Sequence, residues 1–353
     1  MKTILHNSIS LFLCLSLFAC GERTKSKAPL PKTIPTTAPI GPTVIGPTVQ
    51  PTPAQPTTTV PPTLTTGGTG ATCSQSTAAA VTVEPLVDIP RTEVPVLGTA
   101  ETFEIGTWNI ENYPKASGSL ALVSNILNTL DVDVMAVEEI STPAAFNALI
   151  AEMPKFTGLL APDAGTQFDA RSAGFIYRTA DFKLVTSEAL FPKDNFAFPR
   201  PPLLIRLHPL AAGRPDVVAI AVHLKAFGDD KSQQRREAAN IQLESYVAEL
   251  KAKEPRLHII VLGDFNQPLV GATERAVFNP WFEKGCNYTV RTDSLVKKGD
   301  YSYFSNRLSL IDHMVTTSDF LLEEPVIVKL QKIVPNYESQ ASDHLPVVAR
   351  LAP

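Results

Sequence analysis

The chain has 353 residues, of which 44% are hydrophobic and 19% charged, and its formal net charge is −4. This amount of apolar material excludes a chain that is disordered throughout, and four cysteines exclude a disulfide-dense scaffold. The acidic balance also excludes binding to nucleic acid through overall positive charge.

The first twenty residues predict a targeting segment. Lys2 precedes an apolar run over residues 9–20, which is shorter than the roughly 18–20 residues that cross a bilayer. A charged start, a short apolar run and small residues near its end are typical of a secretory signal. The run ends in Leu-Phe-Ala-Cys, which resembles a bacterial lipobox. The resemblance implies that residues 1–19 are removed and that Cys20 carries lipid. An ordinary cleaved signal, with Cys20 incidental, is the alternative.

Residues 20–80 predict a disordered linker. Residues 28–68 contain 11 Pro and 12 Thr, with Lys32 as the only charged residue. Such a segment cannot bury enough apolar area to offset its ordering entropy, so we expect an extended spacer. The remainder would then work in the periplasm, outside the cell, or as a secreted protein, with the N-terminal lipid as its only membrane contact.

Two cysteines remain for the rest of the chain, Cys73 after the linker and Cys286. In an oxidising envelope these two would be able to pair and fasten the end of the linker to the folded domain. Two unrelated free thiols are the alternative, since sequence does not fix connectivity.

Residues 81–353, with a core at about 101–351, predict one domain of the α/β (α+β) class. Short apolar runs alternate with helical patterns. The predicted strands are 103–108, 132–137, 174–177, 217–222, 259–262, 311–315 and 346–351. The predicted helices are one with Leu120, Val123, Leu127 and Leu130 on a single face and a second over about 231–253.

Carboxylate, amide and imidazole side chains lie at the ends of these strands. They are Asn109, Glu138, Glu139, His223, Asp264, Asn266, Asp312, Asp343 and His344. Each alone has a structural explanation, since Asn109 can cap a turn and His223 can be a hydrogen-bonded core histidine. Together they predict a site built on a rigid sheet.

The residue types limit the chemistry of that site. Carboxylate and amide oxygens suit Mg²⁺, with Mn²⁺ or Ca²⁺ as alternatives, and no spacing typical of zinc is present. The sequence has no Gly-rich phosphate loop and no Gly-x-Ser-x-Gly elbow. Histidines among carboxylates can transfer protons and stabilise charge on a phosphoryl group. Metal-assisted hydrolysis of a phosphate ester, with water as nucleophile, follows from this set.

Six short motifs occur in a characteristic order. They are TWNI at 107–110, VMAVEEI at 134–140, VHL at 222–224, GDFN at 263–266, IDH at 311–313 and SDHLPV at 342–347. Together they resemble the endonuclease/exonuclease/phosphatase superfamily, which includes pancreatic-type deoxyribonucleases, abasic-site endonucleases, neutral sphingomyelinases and inositol phosphatases. The resemblance implies a four-layer sandwich of two packed β-sheets flanked by helices, with the site at one end of the sheets.

The resemblance also implies metal ligands. Glu139 would be the principal ligand, Asn109 would help to hold metal or phosphate, and Asp343 would complete the metal shell. The family usually has Gln before that Glu, and here Glu138 takes its place. Glu138 would either add negative charge near the metal or point away from it.

The same resemblance implies catalytic roles. Asp264 would orient or deprotonate the attacking water, and Asn266 would hold that water or the phosphate. His344, oriented by Asp312, would bind the scissile phosphate. His223 matches the deoxyribonuclease-like branch, in which this histidine faces the leaving or attacking oxygen, and argues against close kinship with abasic-site endonucleases.

Two further stretches, Tyr301–Phe304 and His223–Lys225, look like secreted bacterial nucleases of this superfamily. Four basic residues, Arg178, Lys225, Arg235 and Arg236, would then meet backbone phosphates. A solvated helix face is the alternative for Arg235 and Arg236.

Three functional hypotheses follow. The first is a monomeric, lipid-anchored, metal-dependent nuclease outside the cytoplasm, with DNA favoured over RNA. The second is a phosphatase or phosphodiesterase acting on a small-molecule or lipid phosphate, like an inositol phosphatase or a sphingomyelinase. The third is a non-catalytic surface-binding module, which has no need of so complete a set of polar residues.

Overall fold

A computed structural model describes residues 93–161 and 172–351, all of which lie in one compact unit. The predicted signal, the lipobox Cys20, the linker and Cys73 lie outside the described residues, and the statements about them stay predictions. None of the helices in the described part of the chain has the length and apolar character needed to cross a membrane.

Strands and helices are interspersed along the described chain, with the five strands from β3 to β7 following one another. The strands are β1 Glu104–Tyr113, β2 Val134–Ile140, β3 Phe156–Leu160, β4 Ser172–Arg178, β5 Phe182–Ala189, β6 Leu203–Pro209, β7 Val217–His223, β8 His258–Asp264, β9 Tyr288–Val290, β10 Asp312–Thr317, β11 Val326–Ile327 and β12 Val347–Arg350. The α-helices are α1 Ser119–Leu130, α2 Pro143–Ala151, α3 Asp230–Lys253, α4 Ala272–Ala276, α5 Asn279–Phe282, α6 Asp293–Lys297 and α7 Tyr337–Gln340.

The strands form two mixed six-stranded sheets. The first has the order β11-β12-β1-β2-β4-β3 and the second β5-β6-β7-β8-β10-β9. Each sheet has one parallel pair near its centre, β1 with β2 and β7 with β8, among antiparallel neighbours. The predicted fold class is therefore confirmed, as are all seven predicted strands and both predicted helices.

The alternation of side chains along β7 shows how the layers are stacked. Val217, Ala219 and Ala221 join the core cluster that also holds the strands of the first sheet. Their neighbours Val218, Ile220 and Val222 join a second cluster with residues of α3, including Leu243 and Val247. Every residue of β7 is buried because both faces of the sheet are covered.

The two parallel pairs position the site. β1 and β2 run in the same direction, so both begin at one end of the first sheet and finish at the other. β7 and β8 do the same in the second sheet. We call the end at which these four strands finish the site end. The end at which they begin, marked by Asp133, Asp216 and His258, is the far end.

Candidate active site

Strand register brings the predicted residues together at the site end. Asn109 of β1 pairs with Glu138 of β2. In the other sheet, Asp264 at the end of β8 lies beside His223 of β7 on one side and Asp312 of β10 on the other. A hydrogen bond from Asn109 Nδ2 to Asp264 Oδ2, of 3.1 Å, joins the ends of the two sheets.

Gly263 permits this close pairing. Its φ is +136°, and a Cβ at this position would lie 2.1 Å from the carbonyl oxygen of Val222. Glycine is therefore required where β7 and β8 converge. Two of the sequence-predicted site residues also have left-handed backbone conformations, Glu139 with φ 64° and Asn266 with φ 51°. Such conformations carry strain in residues other than glycine and are concentrated at functional sites.

The Asn109 amide connects two carboxylates. Its Nδ2 donates to Glu139 Oε1 at 3.3 Å and to Asp264, while its Oδ1 accepts the backbone N–H of Glu111 at 3.0 Å. The second oxygen of Glu139 accepts the backbone N–H of Asn112 at 3.1 Å. Asn109 thus fixes the positions of the carboxylates with its nitrogen; its predicted role as a direct metal ligand stays a prediction.

Asp264 lies between two imidazoles. Its Oδ2 is 3.6 Å from His223 Nε2 and 3.9 Å from His344 Nε2. Asn266 donates its backbone N–H to Asp264 Oδ1 at 2.8 Å, and its side-chain amide donates to the Leu224 carbonyl oxygen at 3.2 Å. Burial first, and then repulsion by Asp312, raise the pKa of Asp264 to about 7.

Asp312 is in hydrogen-bonding contact with His344. Its Oδ2 contacts His344 Nδ1 at 2.8 Å and accepts the hydroxyl of Ser302 at 2.5 Å. Burial alone would lower the pKa of His344, but the charges of Asp312, Asp264 and Asp343 outweigh it and raise this pKa to about 10. His344 is thus held as an imidazolium at neutral pH, with the Tyr303 ring 5.0 Å from its own.

Asp343 and Glu111 complete the acidic lining. The backbone N–H of Asp343 donates to Glu111 Oε2 at 2.8 Å, and Lys115 donates to the same oxygen. Burial is the main cause that raises the pKa of Asp343 to about 6; His344 opposes this shift and Glu111 adds to it. Sequence reasoning did not select Glu111, although it lies two residues after Asn109 and directly follows the TWNI motif.

Glu138 lies behind this lining and is fully buried. Its Oε1 accepts the hydroxyl of Thr107 at 2.9 Å, and its Oε2 has no hydrogen-bond partner among the described residues. Burial first, and then repulsion by Asp312, raise the pKa of Glu138 well above its usual value. The uncharged acid form of Glu138 is thereby favoured.

The lining suits a hard divalent cation. Ligand atoms of Asp264, Asp312 and His344 all lie within 4.8 Å of one another. The carboxylate oxygens of Asp264 and Asp312 in this group are ligands of the kind that Mg²⁺ or Mn²⁺ prefers. The metal-binding roles of Glu139 and Asp343 stay predictions. A bound cation would supply charge stabilisation and activation of water.

Arg178 does not join this cluster. It pairs with Asp131, Asp133 and Asp181 at the far end, with its Nε 2.9 Å from Asp133 Oδ1. It lies four residues along β4 from Gly174, which pairs with Val137 beside the site. At about 3.3 Å per residue this separation is about 13 Å. The predicted phosphate contact is therefore not supported for Arg178.

Arg235 and Arg236 direct their guanidinium groups at protein carbonyls. Arg235 donates to the carbonyl oxygens of Phe196 and Asn195 at 2.6 and 2.7 Å. Arg236 is buried and donates to the carbonyl oxygens of Lys225 and Phe227, at 2.7 Å each. Because Arg236 is buried and bonded to the protein, its position fits neither the predicted contact with phosphate nor the alternative of a solvated helix face. Among the four basic residues, Lys225 lies two residues after the end of the site strand β7.

Cys286 lies in the short 3₁₀ turn Gly285–Asn287 and takes part in a disulfide. Cys73 lies outside the described residues, so the pairing of these two cysteines stays a prediction.

Residues 106–344 match the Endonuclease/Exonuclease/phosphatase family. The chain belongs to this family. Its members are phosphoesterase hydrolases that generally depend on a divalent metal, and the match spans every one of the polar side chains assembled at the site end. No curated protein gives a significant sequence match.

Solved structures share the fold at low identity. A mannosyl-6-phosphatase of Bacteroides thetaiotaomicron is 15% identical, with a TM-score of 0.56 over 71% of this chain and 100% of its own. TDP2 of D. rerio, complexed with single strand DNA product, is 16% identical, with a TM-score of 0.55 over 71% and 99%. The human Nocturnin catalytic domain with bound sulfate is 16% identical, with a TM-score of 0.52 over 71% and 94%. At this level of sequence identity, the similarities show that this chain has the same fold as these structures.

Proposed function

We propose that the protein is a metal-dependent nuclease that hydrolyses phosphodiester bonds of nucleic acid, with DNA favoured over RNA. The observation that carries this proposal is the position of Asp264 between two imidazoles, His223 and His344, beside the acidic lining. A phosphodiester requires a group that handles the attacking water, a positive group at the phosphoryl oxygens and a proton for the departing alkoxide.

The described residues can supply these three functions. Asp264 orients the attacking water and accepts its proton, with Asn266 fixed beside it. His344, charged and held by Asp312, stabilises negative charge on the phosphoryl oxygens. His223, on the other side of Asp264, faces the departing oxygen and serves as the proton donor.

A substrate panel tests this proposal. Duplex DNA, single-stranded DNA, RNA, sphingomyelin and a simple phosphomonoester would each be incubated with the purified full chain, with Mg²⁺ or Mn²⁺ and with EDTA. We expect EDTA-sensitive cleavage of DNA, with less on RNA. A His344→Ala preparation, purified in parallel, controls for contaminating nucleases. Turnover of the phosphomonoester or of sphingomyelin without cleavage of any nucleic acid would reject the nuclease in favour of a phosphatase or phosphodiesterase.

We also propose that the enzyme acts outside the cytoplasm as a monomer anchored by lipid at Cys20. The support is the lipobox and the Pro- and Thr-rich spacer in the sequence. Metabolic labelling with a palmitate analogue should mark the chain, and Cys20→Ala should abolish the label. Equal labelling of the two proteins would reject the anchor while leaving the catalytic proposal untouched.

A further inference from the structure

Two loops with exposed aromatic rings lie against the strand that carries His223. One follows β7 and contains Phe227, which is 73% exposed; the other connects β5 with β6 and contains Phe196, which is 49% exposed. Arg200, in the second loop, donates to the carbonyl oxygens of His223 at 3.1 Å and Leu224 at 2.8 Å. The β5–β6 loop is thereby tied to the end of the site strand.

The Phe227 loop is tied to the site as well. The buried Arg236 donates to the carbonyl oxygens of Lys225 and Phe227, and its Nε donates to Gln267 Oε1 at 2.7 Å. Gln267 follows the GDFN motif directly. A buried guanidinium that bonds both ends of a three-residue segment fixes the path of that segment relative to β8.

Phe227 is held in a conformation that a bulky residue rarely adopts. Its φ is 81°, and a left-handed backbone is energetically unfavourable for a residue of this type. Glycine would avoid this cost, and glycine follows at position 228. The ring adds nothing to the core, since most of it is in solvent. Strain in a fixed loop that presents an exposed ring is typical of a contact with a ligand.

Positive charge accompanies the ring. Lys225 Nζ lies 4.2 Å from the centroid of the Phe227 ring. The ammonium group thus lies over one face of an exposed ring. Proteins bind unpaired nucleic acid by stacking bases on aromatic rings and placing basic groups at phosphates, and this pair of residues offers both groups. Only one residue, Leu224, separates Lys225 from the active-site His223.

We propose that Phe227 is a base-stacking residue that, together with Lys225, binds an unpaired nucleobase next to the scissile phosphate. This inference rests on the proposed nuclease function and specifies its substrate as single-stranded or locally opened nucleic acid. Stacking on an aromatic face is tolerant of sequence, because every base has a π-face. The subsite would therefore select for unpaired bases without selecting a base sequence.

The test compares two fluorescent oligomers with the same backbone charge, a decathymidylate and an abasic tetrahydrofuran oligomer of equal length. Binding to the full chain would be measured by anisotropy in EDTA at low ionic strength, for wild type, Phe227→Ala, Phe227→Trp and the control Leu210→Ala. Leu210 is also exposed but follows β6 at the far end. Circular dichroism and the melting temperature would confirm that each variant is folded.

We expect Phe227→Ala to weaken binding of decathymidylate by about 10-fold, which corresponds to the stacking of one base, and to leave binding of the abasic oligomer unchanged. Phe227→Trp should restore the affinity, and Leu210→Ala should match wild type for both oligomers. An equal loss on both oligomers, or no loss on either, would overturn the stacking role.

Failure of this inference is distinguishable from failure of the proposed function. If wild type cleaves nucleic acid and binds both oligomers equally well, only the stacking role is overturned. If wild type cleaves no nucleic acid and turns over a phosphomonoester, the nuclease proposal fails, and with it the inferred substrate.

Discussion

Acidic side chains have different charged partners at the two ends of the β-sheets. At the far end, the carboxylates lie against arginines: Asp216 contacts Arg206 at 2.6 Å, and Glu104 contacts Arg350 at 2.7 Å. At the site end, Glu138, Asp264 and Asp312 are buried close together, and the positive partner among them is His344.

This difference separates a stabilising arrangement from a functional one. Paired carboxylates at the far end offset their loss of hydration through charge and hydrogen bonds. Carboxylates gathered without matching cations reduce the stability of the folded state, and such an arrangement persists where a site requires it. The excess of acid at the site end therefore points to a cation or a reacting group that completes it.

The largest expected effect contrasts two histidines. His344→Ala should reduce the rate of phosphoester hydrolysis by about 10³-fold or more, because it removes the imidazolium that Asp312 positions. His208→Ala, at the far end beside Asp216, should leave the rate within a factor of two of wild type, about the scatter of parallel preparations. Steady-state rates on the preferred substrate of the panel would measure both. Near-normal activity of His344→Ala would remove this residue from the site.

The second effect concerns metal binding. Adding Mg²⁺ or Mn²⁺ should raise the free energy of unfolding by about 2–3 kcal/mol when the free ion is near 100 times its dissociation constant, because the cation relieves repulsion among the acids. Glu139→Gln should remove most of this gain while the apo protein stays folded. Urea unfolding with and without the ion would measure it, and an unchanged gain in the variant would place the ion elsewhere.

The third effect concerns the buried acid behind the site. Glu138→Gln should raise the free energy of unfolding at pH 8 by about 1–2 kcal/mol, because the amide stays uncharged at this pH and no charge is then buried at this position. Burial raises the pKa of Glu138 in the folded state, so wild type loses stability as the pH rises above about 4.3, the unfolded value. The difference in the free energy of unfolding between Glu138→Gln and wild type should therefore become smaller as the pH falls to 4. A gain that grew towards low pH would contradict this assignment.

The smallest effect has the opposite pH dependence. Burial would raise the pKa of Asp216, but hydrogen bonds from His208 and Arg206 lower it overall. Its contribution to stability is present above the unfolded value of about 3.9 and is lost as the pH falls through the lower folded pKa. Asp216→Asn should cost about 1 kcal/mol or less at pH 7 and nothing near pH 2. Denaturation across this range would measure it, and a cost independent of pH would contradict the ion pair.

The strands that the sequence predicted are those buried on both faces. β7 and β8 are continuous apolar runs, which a pattern of hydrophobic residues reveals directly. The five missed strands lie at or near the sheet edges. β3 is mostly half-buried, β5 is mostly exposed, β6 contains Arg206 and His208, and β9 and β11 have only three and two residues. Their pairing depends on neighbours that are distant in sequence, which a local pattern does not contain.

Residues of the candidate site could be predicted where a polar residue ends an apolar strand, as His223 and Asp264 do. The positions of the arginines were not predictable, because only the fold brings their partners near. Arg236 donates to the backbone carbonyls of Lys225 and Phe227, and Arg178 pairs with carboxylates at the far end. Glu111 was missed for the same reason, since its partner, the N–H of Asp343, is 232 residues away in the chain.

The hydrogen bond between Asn109 and Asp264 has a consequence for refolding. It joins residues 155 positions apart and crosses from one sheet to the other, so it forms only once both sheets have docked. Contacts between such distant segments form slowly, because the chain entropy of closing long loops must be overcome first. Enzymatic activity would therefore return later than the circular dichroism of the individual sheets, and it would report the moment at which the two halves of the sandwich meet.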